Sequence, residues 1–338
     1  MYRVLMCVFN PHMYNEMQFA FMEAGCDVKN IGIGDEFTGK MDLLRKLLIS
    51  VIDEFKPHFV YSYGWWKDIV DINEFLDVIR HKGVFNVWWS ADDPICFGTV
   101  SLPAARGSDM VFTPVDEQIY EYSRYGIKAW LQPNGCSPRY VRSSPREEYR
   151  NDIVLLANNY NLRCVSEDTR NSIFYRFRLD GIKNVLEPLV ENNINVGVWG
   201  RWWTDCDRAY ILSDKFYKGI LPADAVPGVY ASCRIALGIQ QVGTSRTFLS
   251  VRTYEALGCG AFHLTQYSPA AENFFKKGIH LEWSQSKEET LQLVNYYLSH
   301  SDEMEKIALA GQQEVEKNHK LVHRARSVLD VIRSNSLI

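Results

Sequence analysis

The stretch RTYEALGCGAFHLT, Arg252 to Thr265, decides the fold. Read backward from its glycines, the spacing predicts a helix from Thr247 to Leu257 that stops at Gly258 and Gly260, where a positive φ costs little. The apolar AFHLT that follows suits a buried strand, so the block reads as a helix-to-strand return on an α/β sheet. Arg252 and Glu255 lie three residues apart and share one helical face. Upstream, Gly243, Thr244 and Ser245 make the expected helix start small and polar, which leaves free amides and a positive dipole end for an anion. A phosphate site beside a carboxylate points to a nucleotide. The plainer alternative is an exposed Arg/Glu pair ahead of an ordinary turn.

Outward from this block the same alternation recurs. In the first half the strand-like runs are YRVLMCVF, DVKNIGI, HFVYSYG, VFNVWWS, DMVFTP and KAWLQP. Helical patterns separate them at Met13 to Ala24, Met41 to Phe55, Ile69 to His81 and Asp116 to Tyr125. Strands parted by helices imply right-handed βαβ units and a parallel sheet. The Pro-, Ser- and charge-rich segment from Pro133 to Asn151 reads as a linker. The expected division is a Rossmann-like domain over 1–135, a linker over 136–151, a second such domain over 152–320 and a final helix over 321–338 that returns to the first domain.

The second half begins with DIVLLAN and a long helix from Thr169 to Asn192 that Pro188 should end or kink. INVGVWG, KFYKGIL, a short helix from Ala223 to Ala231, RIALGIQ, the opening block and GIHLEW follow. Amphipathic spacing then predicts helices over Lys287 to Leu298, Glu303 to Lys317 and Val322 to Ile332. The fold class is α/β: two Rossmann-like domains expected to face each other across a cleft, with C-terminal helices. Such sheets bind ligands at the carboxyl ends of their strands, so function is sought in the post-strand loops.

Composition narrows the classes. At 338 residues the chain is long enough for two domains. A net charge of -4 argues against a protein built mainly to coat nucleic acid. The start MYRVLMCVFNPHMYNEM lacks the core of a signal peptide, and no apolar run approaches the roughly 20 residues that span a bilayer. The eight cysteines form no CxxC pair, which favours reduced thiols and a cytoplasmic location over disulfides or zinc.

Three loops in the second half carry unusual residues: ANNYNLR, GRWW and QQVGTSR. Arg163, Arg201, Arg246 and Arg252 are placed to hold phosphate oxygens, and Glu255 to accept from ribose hydroxyls. In the first half, Asp92 and Asp93 follow a strongly apolar strand in WWSADDPICFG. One of them is a candidate general base, because like charge nearby raises a carboxyl pKa. The plainer role for Asp93, ahead of Pro94, is to make a turn and cap the next helix. His12, after the first strand, is a further candidate. The pairs Trp65/Trp66 and Trp202/Trp203 sit in loops where a sugar or base platform and ordinary core filling are about equally expected. No Walker loop, GxGxxG, GxSxG or HExxH motif stands at a strand-to-helix junction.

The series WWSADDP, LQPNGCSP, IVLLANNYNLR, VWGRWW, YKGIL, RIALGI, SVRTYEALGCGAFHLT and KNHKLVHRARSVLDVI resembles the CgeB-like glycosyltransferases over nearly the whole chain. The resemblance implies the GT-B fold, a nucleotide-sugar donor in the second domain, an acceptor hydroxyl in the first and no required metal or other cofactor. It assigns Glu255 to the donor ribose, and Arg252 with the Gly243 to Arg246 loop to the diphosphate. Gly200 and Arg201 fall near the donor as well. A UDP-sugar is the expected donor. The acceptor, whether glycan, protein or nucleic acid, and the oligomeric state are left open. Many retaining relatives carry a glutamate eight positions before the ribose glutamate; here that position is Thr247, so retention and inversion both stay open. Alternatives are a non-catalytic nucleotide-sugar-binding assembly protein, a nucleotide-sugar epimerase and a DNA-base glycosyltransferase.

Overall fold

The computed structural model describes residues 1–9, 16–163 and 172–335. The chain divides into two compact units, Met1–Pro138 with Leu321–Ile338, and Arg139–Lys320.

The first unit is built on six parallel strands: β1 (Arg3–Phe9), β2 (Asp27–Ile33), β3 (Phe59–Gly64), β4 (Phe85–Trp89), β5 (Met110–Thr113) and β6 (Ala129–Leu131), in the order β2-β1-β3-β4-β5-β6. The sequence of β1 is an unbroken apolar run because helices cover both faces of the sheet. Leu5, Cys7 and Phe9 join one core with the helices Met41–Phe55 and Ile72–His81. Val4, Met6 and Val8 join the other, with Met17–Glu23 and the final helix. That final helix, Leu321–Ser334, buries Leu321, Ala325, Val328, Leu329 and Ile332, the stripe expected of an amphipathic helix. Its first amide donates to the Cys136 carbonyl at 2.8 Å, and Arg324 Nη2 donates to the Asn134 carbonyl at 3.1 Å. Of the segment read as a linker, Cys136 lies in the first unit, while the amide of Arg146 donates to Ser232 Oγ at 2.7 Å in the second.

The second unit has five parallel strands: β7 (Ile153–Leu156), β8 (Val196–Trp199), β9 (Ile235–Gly238), β10 (His263–Gln266) and β11 (Glu282–Ser284). Their order is β11-β10-β9-β7-β8. The chain leaves β7 for β8 on one side and then crosses to β9 on the other. The switch point, where such sheets bind ligands, therefore lies outside the carboxyl ends of β7 and β9.

Several elements differ from their sequence expectation. The helix expected from Thr169 is described from Ser172–Gly181; it opens into a π turn over Ile182–Leu186 and resumes as Glu187–Glu191. Pro188 sits at the start of that last piece, and the loosened turn before it accommodates a residue with no N–H and a ring that crowds the carbonyl four back. KFYKGIL forms no named strand. The segment runs along the sheet edge as an isolated bridge between Tyr217 and Val198: the Val198 amide donates to the Phe216 carbonyl, the Lys218 amide donates to the Val198 carbonyl, and the Gly200 amide donates to the Gly219 carbonyl, each at 2.9 Å. Of the helix expected from Met13, the described part runs Met17–Glu23 with Glu16 ahead of it, and residues 10–15 lie outside the described residues.

Ile332 is fully buried in the core that joins the last helix to the first sheet. Ile332→Ala is expected to lower unfolding stability by about 2–5 kcal/mol, read from chemical denaturation, and a loss below ~0.5 kcal/mol would mean that this helix is not part of the core.

Candidate functional site

The loops at the carboxyl ends of β7 and β8 are laced together by their backbones. The amide of Asn159 donates to the Arg201 carbonyl at 3.0 Å, and the amide of Arg201 donates to Asn158 Oδ1 at 2.9 Å. Gly200 has φ +144, and a Cβ there would run into the Ala157 carbonyl oxygen, so only glycine fits. Trp203 Nε1 donates to that same carbonyl at 2.7 Å, and its side chain is fully buried. Trp203 thus fills the core, whereas Trp202 is half-buried, with Tyr160 on one side at 5.4 Å and the Arg208 guanidinium over its ring at 5.2 Å. In the first unit Trp66 donates from Nε1 to the Val100 carbonyl at 3.0 Å and packs against the core.

The loop after β9 is set by buried amides that the sequence reading passed over. Gln240 Nε2 donates to Thr253 Oγ1 at 3.0 Å and Thr265 Oγ1 at 2.8 Å, while its Oε1 accepts from the Ser250 amide at 2.9 Å. Its own amide donates to Gln266 Oε1 at 3.0 Å, and Gln266 Nε2 donates to the Phe177 carbonyl at 2.8 Å. His263 lies below, its Nδ1 2.9 Å from the Ala236 carbonyl; burial pushes its pKa down to about 4, which keeps the ring neutral. Glutamines after a strand carry no motif, so only the burial of their polar atoms reveals this role.

These contacts move the helix start. The helix runs Val251–Gly258, with Ser250 as its cap, rather than beginning at Thr247. Ser245 Oγ accepts from the amides of Thr247 and Phe248, both at 3.1 Å, and this local turn outcompetes a helical first turn. Gly243 to Arg246 accordingly form a separate loop ahead of the cap. A Cβ on Gly243 would stand 2.5 Å from the Phe177 ring, so this loop lies hard against the Ser172–Gly181 helix. Ser245 is buried; Thr244 and Arg246 are exposed, and the Arg246 carbonyl accepts from Asn273 Nδ2 at 3.0 Å. At the C-terminus Gly260 has φ +75, and the Ala261 amide reaches back to the Ala256 carbonyl at 3.0 Å, the glycine-terminated end read from the sequence.

Arg252 and Glu255 form an ion pair along the helix. It is not the exposed surface pair of the plainer reading, because the Glu255 side chain is only 9% accessible while that of Arg252 is 41%. The Arg252 pKa is pushed up, chiefly by the Glu255 carboxylate. Arg201 and Arg163 are exposed on the β8 and β7 loops, and the Arg163 amide donates to the Asp207 carbonyl at 2.7 Å.

In the first unit, Asp92 and Asp93 follow β4 but differ in setting. Asp92 is partly exposed. Asp93 is fully buried: Thr113 Oγ1 donates to its Oδ2 at 2.8 Å, and the Tyr122 hydroxyl stands 2.9 Å from the same oxygen and 2.7 Å from Ser90 Oγ. Desolvation pushes the Asp93 pKa up to about 7, helped by the Asp92 charge and opposed by the hydroxyls of Ser101, Thr113 and Tyr122. Asp93 is neither a surface carboxylate nor a simple helix cap. His12 lies outside the described residues. Among the described residues no three His, Cys, Asp or Glu side chains gather to hold a metal, no disulfide links the cysteines, and no helix is long and apolar enough to cross a membrane.

Residues 176–330 match the family described as glycosyl transferase-like. No curated protein matches the chain. Among solved structures, HepE of Anabaena in complex with UDP-glucose is similar with a TM-score of 0.65 at 12% identity, covering 99% of this chain and 100% of that one. Sucrose-phosphate synthase of Thermosynechococcus elongatus gives 0.60 at 9%, covering 99% and 100%. A mutant of T4 phage BGT in complex with UDP-glucose gives 0.60 at 11%, covering 98% and 99%. The two parallel sheets and these likenesses define a GT-B fold.

Because the Asp93 pKa lies above its ordinary value of 3.8, the protonated acid favours the fold, and stability is lost as pH rises from about 4 towards about 7. Asp93→Asn keeps an acceptor for Thr113 and removes the charge. Melting curves from about pH 4 to about pH 8 should show the wild type falling relative to the variant across that window; parallel curves would rule out titration of this carboxyl there.

Proposed function

We propose that the chain is a glycosyltransferase that moves a sugar from a nucleotide-diphosphate sugar to a hydroxyl acceptor. The observation that carries this reading is the second unit's ligand end. There, arginine-bearing loops and an Arg–Glu pair in the first turns of a helix meet the switch point of a sheet, within residues that match a glycosyl transferase-like family. Glu255 accepts from the donor ribose. Arg252, Arg246 and Arg201, with the Gly243 to Ser245 loop and the tight turn at Gly200, meet the diphosphate, and Arg163 stands at the rim of the same loops. A UDP-sugar is the donor we favour, in keeping with the UDP-glucose bound by HepE and T4 phage BGT. The ordered motif series supports the CgeB-like branch, and cysteines without a CxxC pair support a cytoplasmic setting.

As the glycosidic C–O bond breaks, negative charge builds on the departing diphosphate. Guanidinium groups oriented beforehand stabilise it, a role that requires no divalent cation; the amides of Thr247, Phe248, Ser250 and Arg252 are already taken by Ser245, Gln240 and Ser250. The acceptor hydroxyl attacks the anomeric carbon and its proton passes to a base. Asp92 is the base we assign, since it is partly exposed at the end of β4; buried Asp93 positions the turn that carries it. His12 stays a candidate through its place in the sequence after the first strand.

Asp92→Asn is expected to cut transfer roughly 10²-fold or more while sparing donor binding, and wild-type turnover would remove Asp92 from the mechanism. A thermal-shift screen of UDP, GDP, TDP and CDP and their sugars should give at least one shift, with a UDP compound first; no shift at all would overturn the donor site. Turnover in EDTA should stay within about twofold of the untreated rate, whereas loss restored by Mg²⁺ would assign the leaving-group charge to a metal.

A further inference from the structure

Arg178, on the Ser172–Gly181 helix, is 6% exposed. Its Nη2 donates to the Asn158 carbonyl at 2.6 Å, and its guanidinium lies over the Tyr160 ring at 5.2 Å. Among the described residues, Nε has no hydrogen-bond partner and no carboxylate pairs with the group. Desolvation lowers its pKa to about 10, so it stays charged at neutral pH. A buried cation with no counter-ion among the described residues is costly and seldom retained without a use.

The loop that Arg178 holds is short of partners in the same way. Among the described residues, neither amide atom of Asn161, 2% exposed, has a partner, and Asn159, fully buried, bonds the Tyr210 carbonyl through Nδ2 at 2.8 Å while its Oδ1 has none. Buried polar groups are nearly always satisfied by protein, water or ligand, so three such side chains at one strand end point to a bound polar group. The place agrees. Arg178 reaches the loop after β7, and its neighbour Phe177 packs against Gly243 in the loop after β9, the two loops that flank the switch point. An arginine there presents planar donors suited to phosphate oxygens.

We infer that Arg178 is a substrate-binding residue that contacts the donor's diphosphate from the buried side of the β7 loop, opposite the exposed arginines. The inference rests on the donor-site reading above. The Asn158 carbonyl and the Tyr160 ring hold the guanidinium in place, and the arriving diphosphate supplies the missing counter-ion. Arg178 is thus preorganised, whereas Arg201 and Arg246 close from solvent.

The test compares wild type, Arg178→Met and Arg178→Lys by melting temperature without ligand and by titration with UDP, uridine and inorganic pyrophosphate. Methionine keeps much of the apolar stem and removes an uncompensated charge, so the ligand-free melting temperature should hold or rise. Affinity for UDP and pyrophosphate should fall about 10- to 100-fold, uridine binding should be unchanged, and lysine should restore part of the loss. If Arg178→Met binds UDP like wild type, or loses UDP, uridine and ligand-free stability in step, Arg178 only braces the loop and the inference fails while the donor site stands. If the wild type binds pyrophosphate through Arg178 but no nucleotide, the anion contact survives and the donor reading fails. Should the methionine variant not fold, the same UDP-to-uridine comparison on Arg178→Lys decides: unchanged UDP affinity with restored stability supports a bracing role, and a selective loss of UDP supports the contact.

Discussion

The second unit depends on the requirement that a buried amide be fully bonded, met at Gln240. One side chain ties Thr253 on the helix to Thr265 on β10 and receives the Ser250 amide, while its backbone is held by Gln266. Leaving such groups unpaired costs about 1–3 kcal/mol each, so the loop after β9 has little freedom to be elsewhere. The helix therefore begins at Val251, and Arg252 emerges in its first turn beside Glu255. The chemistry assigned to this end of the sheet follows from where those bonds place a few backbone atoms.

Charge is handled differently in the two units. In the second, the Arg178 guanidinium is buried with no acid partner among the described residues, while Arg252 is oriented by Glu255, with its side chain still 41% accessible. In the first, a carboxylate is buried among hydroxyls at Asp93, with its pKa pushed up to about 7. The buried Arg178 and the buried Asp93 each sacrifice some stability, and each stands next to residues assigned to binding or proton transfer. Perturbed ionisable groups cluster at functional sites for this reason.

Much of the architecture was legible in the chain. The runs that became β1, β3, β4, β7 and β9 are mostly apolar because parallel strands are buried on both faces, and the glycine-terminated helix end at Gly260 follows from the φ it needs. The final helix showed its buried stripe in its spacing alone. Helix starts were harder to read. Thr247 looked helical by pattern, but Ser245 and Gln240 take the amides that a first turn leaves open. Trp202 and Trp203 are identical in type and adjacent, yet one is half-buried and the other fully buried, because the positive φ of 67° at Trp202 splits their directions.

By itself the sequence determined the alternation of strands and helices, the parallel sheets and the set of arginines and acids at strand ends, since these depend on local periodicity and residue type. Only the tertiary structure decided that Asp93 is inside and Asp92 partly outside, that Glu255 is nearly buried, and that Arg178 is a buried cation with no acid partner among the described residues. Burial and pairing depend on residues distant in the chain, such as Tyr122 beside Asp93 and Asn158 beside Arg178, and no local pattern contains that information.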